Sequence, residues 1–240
     1  ARNHADWNED RIVAAIRAIL DRHFGPPPTQ VDVDGRKATP LEYLRDVVRL
    51  DLADYISVIS LQQQDEYAFG ALPVPDNWWD SDDYYNVPLV DFVRIIRAAT
   101  DAGVSLCCTI DYTEPAFLPR QDIAVIPTFD IASAAIDDAA RQLRFSNGST
   151  TDDHLVHCVG ACEIDGRRWY LIKDSETKPR NGHHGGYMFY DEDYLKLKAL
   201  AILAPRDIVE KTLGRSVIKS TTSPIASVDV GVVAVVAQGP

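Results

Sequence analysis

Residues 151–190 read TDDHLVHCVGACEIDGRRWYLIKDSETKPRNGHHGGYMFY. His154 opens one apolar run, and a second apolar run, Trp169–Ile172, leads into Asp174. Two antiparallel neighbours place the start of one strand beside the end of the next, so the imidazole would meet the carboxylate. An imidazole held by such an acceptor is the base-and-orienter part of a nucleophilic triad. This stretch therefore predicts paired strands that carry a candidate catalytic pair, His154 and Asp174.

Composition narrows the class of protein. The chain has 240 residues, of which 46% are hydrophobic and 25% charged, as is typical of one large or two small soluble domains. Its formal net charge of −12 argues against nucleic acid and anionic membrane surfaces as partners, because both bind basic patches. No signal peptide and no apolar run of membrane-spanning length is visible, so we expect a cytoplasmic protein with no membrane partner.

Helical periodicity dominates the first part of the chain and strand patterns dominate the second, which predicts an α+β fold. Residues 62–86 lack periodicity and are predicted to form a long ordered loop. Predicted helices cover residues 8–24, 40–49, 89–102, part of 131–145 and 192–197, and predicted strands cover 31–35, 55–61, 104–110, 154–164, 168–173, 187–191 and 199–203.

The cysteines and the remaining histidines do not predict a metal site. The four cysteines form no CxxC pair, which favours buried free thiols over a zinc or redox motif. His183 and His184 lie in a glycine-rich turn without a third ligand at a suitable spacing. We therefore expect no metal and no cofactor. The cysteines are Cys107, Cys108, Cys158 and Cys162.

Several blocks of the sequence together resemble one known family. The runs TTDDHLVHCVG, RRWYLIKDS and GGYMFY are preceded by AIRAILDRHFGPPPTQVDVDGRKATPLEYL and by VPDNWWDSDDYYNVPLVDFVRIIRAATDAG. They resemble, in the same order, the papain-like cysteine peptidases, and within them the branch of bleomycin hydrolase and aminopeptidase C. The resemblance covers residues 8–213, which is nearly the whole chain.

The resemblance implies a papain-like fold and a domain organisation. It implies the antiparallel β-barrel half of that fold with a helical insert, lacking the nucleophile-bearing N-terminal half. Residues 1–103 would form a helical and loop region that packs on the barrel, and residues 104–213 would form the barrel with the histidine. Residues 214–240, rich in Ser, Thr, Val and Ala, would be an extended or disordered tail.

The resemblance also assigns roles to the candidate pair. His154 takes the place of the family's catalytic histidine, and Asp174 takes the place of the catalytic asparagine. A carboxylate can orient an imidazole as an amide does, and it favours the charged imidazolium. The tryptophan that shields this hydrogen bond in the family is replaced by Glu176, so we expect the pair to be open to water.

The family's nucleophilic cysteine and oxyanion-hole glutamine have no counterpart in these 240 residues. They are expected on a separate chain or an upstream segment, and the assembled unit could be a homo-oligomer. The resemblance then implies one chain of a two-chain, aminopeptidase-like cysteine peptidase that cuts peptide or amide substrates through a thioester. Two alternatives stay open: a non-catalytic relative that serves as a binding or scaffold partner, and an acyl transferase that forms amide bonds.

Overall fold

The computed structural model describes residues 8–113, 115–176 and 182–219. The chain divides into two compact units, Ala1–Ala53 and Asp54–Pro240. The predicted boundary after residue 103 does not coincide with this division. The reason is that strands from residues 55–86 pair into the same sheet as the strands that follow residue 104.

The first unit contains an amphipathic helix, a hairpin and a second helix. Helix α1 (Glu9–Phe24) starts where the side chain of Asn8 accepts the N–H of Arg11, and it ends at Gly25, whose φ is 78°. The short strand with a turn that the sequence predicts at 31–35 is present, and β1 (Val31–Val33) pairs across that turn with β2 (Arg36–Ala38) to form a hairpin. Its turn is Asp34-Gly35, and both residues have positive φ, which Gly and Asp tolerate best.

Helix α2 (Pro40–Glu42) continues as a π-helical stretch over Tyr43–Val48. Thr39 and Glu42 form a reciprocal capping box at its start, and Pro40 is its first residue. The helix ends at Arg49, whose φ is 57°.

The second unit is built on one mixed sheet. Ten strands lie in the order β4-β5-β3-β12-β6-β9-β10-β11-β8-β7. The pairs β3–β5 and β11–β8 are parallel, and the others are antiparallel. The strands are β3 (Tyr55–Ile59), β4 (Ala68–Gly70), β5 (Tyr84–Asn86), β6 (Leu106–Ile110), β7 (Phe117–Leu118), β8 (Ile123–Ala124), β9 (His154–Ile164), β10 (Arg167–Lys173), β11 (Tyr187–Asp191) and β12 (Ala199–Pro205).

Among the described residues, four α-helices accompany the sheet: α3 (Leu89–Asp101), α4 (Asp138–Ser146), α5 (Glu192–Lys198) and α6 (Arg206–Leu213). Helix α3 packs against β6 and β9 and buries Phe92, Ile95 and Ile96. Along β9, alternate residues face this core, so Val156 is buried while its neighbour Leu155 is 60% exposed. Along β12, consecutive residues are buried, because Ala201 belongs to a second, smaller cluster with Ile59 and Leu61.

Three expectations need correction. The sheet is mixed where an antiparallel barrel was predicted, because β5 pairs in parallel with β3 and β8 pairs in parallel with β11, and the described strand order runs from β4 to β7. The predicted loop 62–86 contains β4 and β5, and α6 was not predicted. Of the predicted tail, Val217 is buried, and residues 220–240 lie outside the described residues.

None of the helices in the described ranges is long and apolar enough to cross a membrane.

Candidate active site

The sheet brings the two predicted site residues together. His154 is the first residue of β9, Asp174 follows the last residue of β10, and the two strands are antiparallel neighbours. The Nε2 atom of His154 lies 2.9 Å from Oδ1 of Asp174. The contact that the sequence pattern predicts between these two side chains is therefore present.

A bulge in β9 selects which histidine meets Asp174. Leu171 pairs with Gly160, but the next residue, Ile172, pairs with Cys158, so β9 carries one extra residue at this point. If the shifted register is continued by one pair, Asp174 lies opposite Val156, whose side chain faces the core. His154, two residues from Val156 along β9, is on the same face and therefore lies diagonally across from Asp174. Without the extra residue Asp174 would lie across from His157, on the exposed face.

Asp174 is fixed from several sides. Its Oδ1 accepts the backbone N–H of Glu176 at 3.0 Å, and its own N–H donates to the carbonyl of Gly186 at 2.7 Å. Burial alone would raise the pKa of Asp174, but the Glu176 N–H and the His154 ring outweigh it and hold that pKa below its usual value. The carboxylate is therefore charged at neutral pH.

The pair is less open to water than the Trp-to-Glu replacement suggests. The side chain of His154 is 25% exposed and that of Asp174 is 6% exposed. Glu176 contributes its backbone N–H to Asp174, which closes one side of the carboxylate. The expectation of an open pair is corrected, because this N–H covers the carboxylate and the ring of Tyr112, whose centroid lies 4.8 Å from that of His154, covers the imidazole. Sequence reasoning missed both contacts.

The geometry fixes the role that each ring nitrogen of His154 can take. Since the neighbouring carboxylate is charged, the proton of a neutral ring resides on Nε2, which donates to Asp174. The other nitrogen, Nδ1, is then an acceptor, and within the described ranges no side chain hydrogen-bonds to it. Such an imidazole can take a proton from a nucleophile placed at Nδ1.

No cysteine of this chain occupies that position. Cys108 and Cys158 are buried in the core, and burial raises the pKa of Cys158 to about 11 and that of Cys108 well above its usual value. Cys107 pairs with His157 on the sheet, and Cys162 pairs with Trp169, so both lie away from Nδ1. In the described part of the chain, none of these thiols contacts His154.

A second Asp–His contact lies on the turn before β11. Nδ1 of His184 lies 2.7 Å from Oδ2 of Asp122, and the same carboxylate accepts the N–H groups of Gly182 and His183. Burial opposes these donors, but together they lower the pKa of Asp122. Sequence reasoning missed this contact because Asp122 is distant in the chain. Within the described ranges, no three His, Cys, Asp or Glu side chains group as a metal site.

An acidic and aromatic surface is formed by the residues before His154 and by the long connection from β4 to β5. Burial, followed by the charges of Asp76 and Asp153, raises the pKa of Asp152 to about 6. In the connection, Trp78 and Trp79 meet edge to face at 5.4 Å and are 81% and 59% exposed. Exposed indole rings are unusual on a free surface, which makes this connection a candidate contact region.

Comparison with known proteins supports the fold. The structure is similar to the crystal structure of PepW from Lactobacillus rhamnosis HN001 (DR20), with a TM-score of 0.63 and 16% sequence identity. The match covers 85% of this chain and 50% of the PepW chain, so this chain spans about half of PepW. No model of a known protein family matches the sequence, and no curated protein matches it significantly. The chain therefore has a fold of the PepW kind, mixed α and β.

Proposed function

We propose that this chain supplies the histidine half of a papain-like cysteine peptidase with aminopeptidase-like action on peptide or amide substrates. His154 would be the general base and Asp174 its orienter. The nucleophilic cysteine and the oxyanion-hole glutamine would come from a separate chain or an upstream segment. The observation that carries the proposal is the 2.9 Å contact of His154 Nε2 with Asp174, which leaves Nδ1 as the acceptor.

The fold supports the same class. PepW is named as a peptidase, and this chain matches half of its length. A site divided over two segments needs a half that carries the base and a half that carries the nucleophile. The candidate site found here contains the first of these and lacks the second, as described above.

The proposed reaction is acyl transfer through a thioester. Nδ1 of His154 would take the proton of the thiol, and the thiolate would attack the substrate carbonyl carbon. The imidazolium would be stabilised by the Asp174 carboxylate and would then give its proton to the departing amine. Water, activated by the same nitrogen, would hydrolyse the thioester.

The two alternatives predict different behaviour of the same site. Replacement of the family's tryptophan by Glu176 and the buried state of Cys108 and Cys158 favour a non-catalytic binding partner. An amide-forming acyl transferase would use the same base, with an amine in place of water as the second nucleophile.

The proposal is tested by mapping a covalent label. Native material is treated with a thiol-reactive peptidyl electrophile, and the labelled residue and all chains present are identified by mass spectrometry. The proposal expects a labelled cysteine outside residues 1–240, and loss of that label in His154→Ala. His154-dependent labelling of Cys107 or Cys108 would overturn the divided site, and absence of any label would favour the non-catalytic alternative.

A further inference from the structure

The ring of Tyr112 lies directly against the ring of His154. The two centroids are 4.8 Å apart, and the planes are tilted by 47°. Tyr112 in turn meets Phe117 edge to face at 5.2 Å, and Phe117 meets the buried Tyr190 at 6.1 Å. His154 is therefore the last member of an aromatic row that begins in the core of the second unit.

The backbone of Tyr112 is held to the segment that leads into β9. Its N–H donates to Oδ2 of Asp153 at 3.3 Å. The preceding residue, Asp111, accepts the N–H of Thr151 at 3.1 Å and the N–H of Thr113 at 2.8 Å. The backbone on both sides of Tyr112 is thus fixed relative to the start of β9, and it carries the ring beside His154.

This contact explains why the candidate pair is covered although Glu176 replaces the family's tryptophan. Asp174 is closed by burial and by the Glu176 N–H, and the imidazole ring of His154 lies against the ring of Tyr112. Tyr112 reaches that ring from the segment that follows β6, in which Ile110 pairs with His154.

We propose that Tyr112 is the positioning residue of this site: its ring shields the His154–Asp174 hydrogen bond and keeps Nε2 directed at Asp174. The proposal rests on the proposed function for its catalytic meaning, but the contact itself can be tested without activity. Tyr112 acts through His154 and would not touch the reacting atoms.

The test is nuclear magnetic resonance of the histidines in the full chain. In the unaltered protein and in Tyr112→Phe, we expect a low-field Nε2–H signal of His154 that exchanges slowly with water. In Tyr112→Leu, the same signal should exchange about ten times faster, because the ring that covers the imidazole is gone. Tyr43→Leu, at an exposed tyrosine of the first unit, is the control and should leave this exchange rate unchanged.

Exchange of the His154 Nε2–H that is as slow in Tyr112→Leu as in the unaltered protein would overturn the proposal. If Tyr112→Leu does not fold, the nuclear Overhauser contact between the two rings of the unaltered protein decides, and its absence overturns the proposal. These results are independent of the labelling experiment. A missing label with an intact ring contact refutes the base role of His154 and leaves the positioning role standing.

Discussion

Lys198 and Asp111 form an ion pair from which solvent is excluded. Nζ lies 3.3 Å from Oδ2, and the two side chains are 0% and 1% exposed. Lys198 is the last residue of α5, Asp111 follows β6 directly, and the same Oδ2 accepts the N–H of Thr151. The pair therefore connects two elements to the segment that precedes His154.

Removing one partner of this pair should destabilise the fold strongly. Lys198→Met leaves the Asp111 charge buried without its cation, for which we expect a loss of about 3–5 kcal/mol in the free energy of unfolding, measured with urea. Lys196→Met is the matched control, because Lys196 is on the same helix but remains partly exposed beside Glu192, and it should cost under about 1 kcal/mol. Adding Asp111→Asn to Lys198→Met should recover part of the loss, and a strictly additive double variant would contradict the pairing.

Arg141 on α4 should be equally sensitive. Its guanidinium is fully buried 5.0 Å over the ring of Phe92, and it donates to the carbonyls of Ser60, Lys196 and Ala199. Burial lowers the pKa of Arg141 to about 10, so it stays charged at neutral pH. Arg141→Met would leave these carbonyls unpaired and should cost about 3 kcal/mol or more, or prevent folding.

The control for Arg141 is Arg144→Met on the same helix, since Arg144 pairs with Asp130 near the surface. That variant should unfold within about 1 kcal/mol of the unaltered protein. Equal urea midpoints for the two variants would show that the buried guanidinium does not hold the strands and α5 together.

Gly186 should be required for the position of Asp174. Its φ is 89°, and an added Cβ would lie 2.9 Å from the carbonyl oxygen of Glu176 and 3.1 Å from that of Asp174. We therefore expect Gly186→Ala to displace Asp174 and to remove the slowly exchanging Nε2–H signal of His154. At Gly185, whose φ is 55°, a Cβ would meet nothing within 4 Å, so Gly185→Ala should cost only about 1 kcal/mol and keep that signal. Signals retained equally in both variants would refute the role given to Gly186.

Asp152 should make stability fall as pH rises from about 4 to about 6. Its pKa is raised to about 6 in the folded chain, so between its ordinary value and that pH the unfolded chain releases the proton while the folded chain keeps it. Above that pH the charged Asp152 carboxylate lowers the free energy of unfolding by on the order of 1 kcal/mol, after allowance for solvent screening. Asp152→Asn should remove this fall, as measured by urea midpoints at pH 4 and pH 7. A fall of the same size in both proteins would exclude Asp152 as its source.

Strands with clear alternation could be predicted from the sequence, and so could the contact of the two side chains at their ends. The bounds of β9 and β11 match the predicted ranges, and α3 lies within one residue of its prediction. The contact of His154 with Asp174 follows from those strands, because antiparallel neighbours bring a strand start beside a strand end. The bulge that sets this register falls at Val159, beside Gly160, and a glycine inside a strand is compatible with a bulge but does not specify the register.

Contacts between distant segments could not be predicted. Tyr112 meets His154 only because β6 pairs with β9, and a single sequence does not specify that pairing. A charged residue on a helix normally indicates a solvent-exposed position, but Arg141 and Lys198 are both buried. Backbone carbonyls accept the hydrogen bonds of Arg141, and Asp111 forms an ion pair with Lys198. Strands of two residues, such as β7 and β8, are too short for any periodicity to appear.

The proposed role of His154 as the base for a cysteine outside residues 1–240 is tested most directly by the rate at which the assembled protein is acylated by a peptidyl electrophile. His154→Ala should slow acylation by about a thousandfold or more, because the thiol is left in its weak neutral form. His157→Ala, on the exposed face of the same strand, should acylate at the unaltered rate. Near-normal acylation in His154→Ala, or equal losses in the two variants, would contradict the claim.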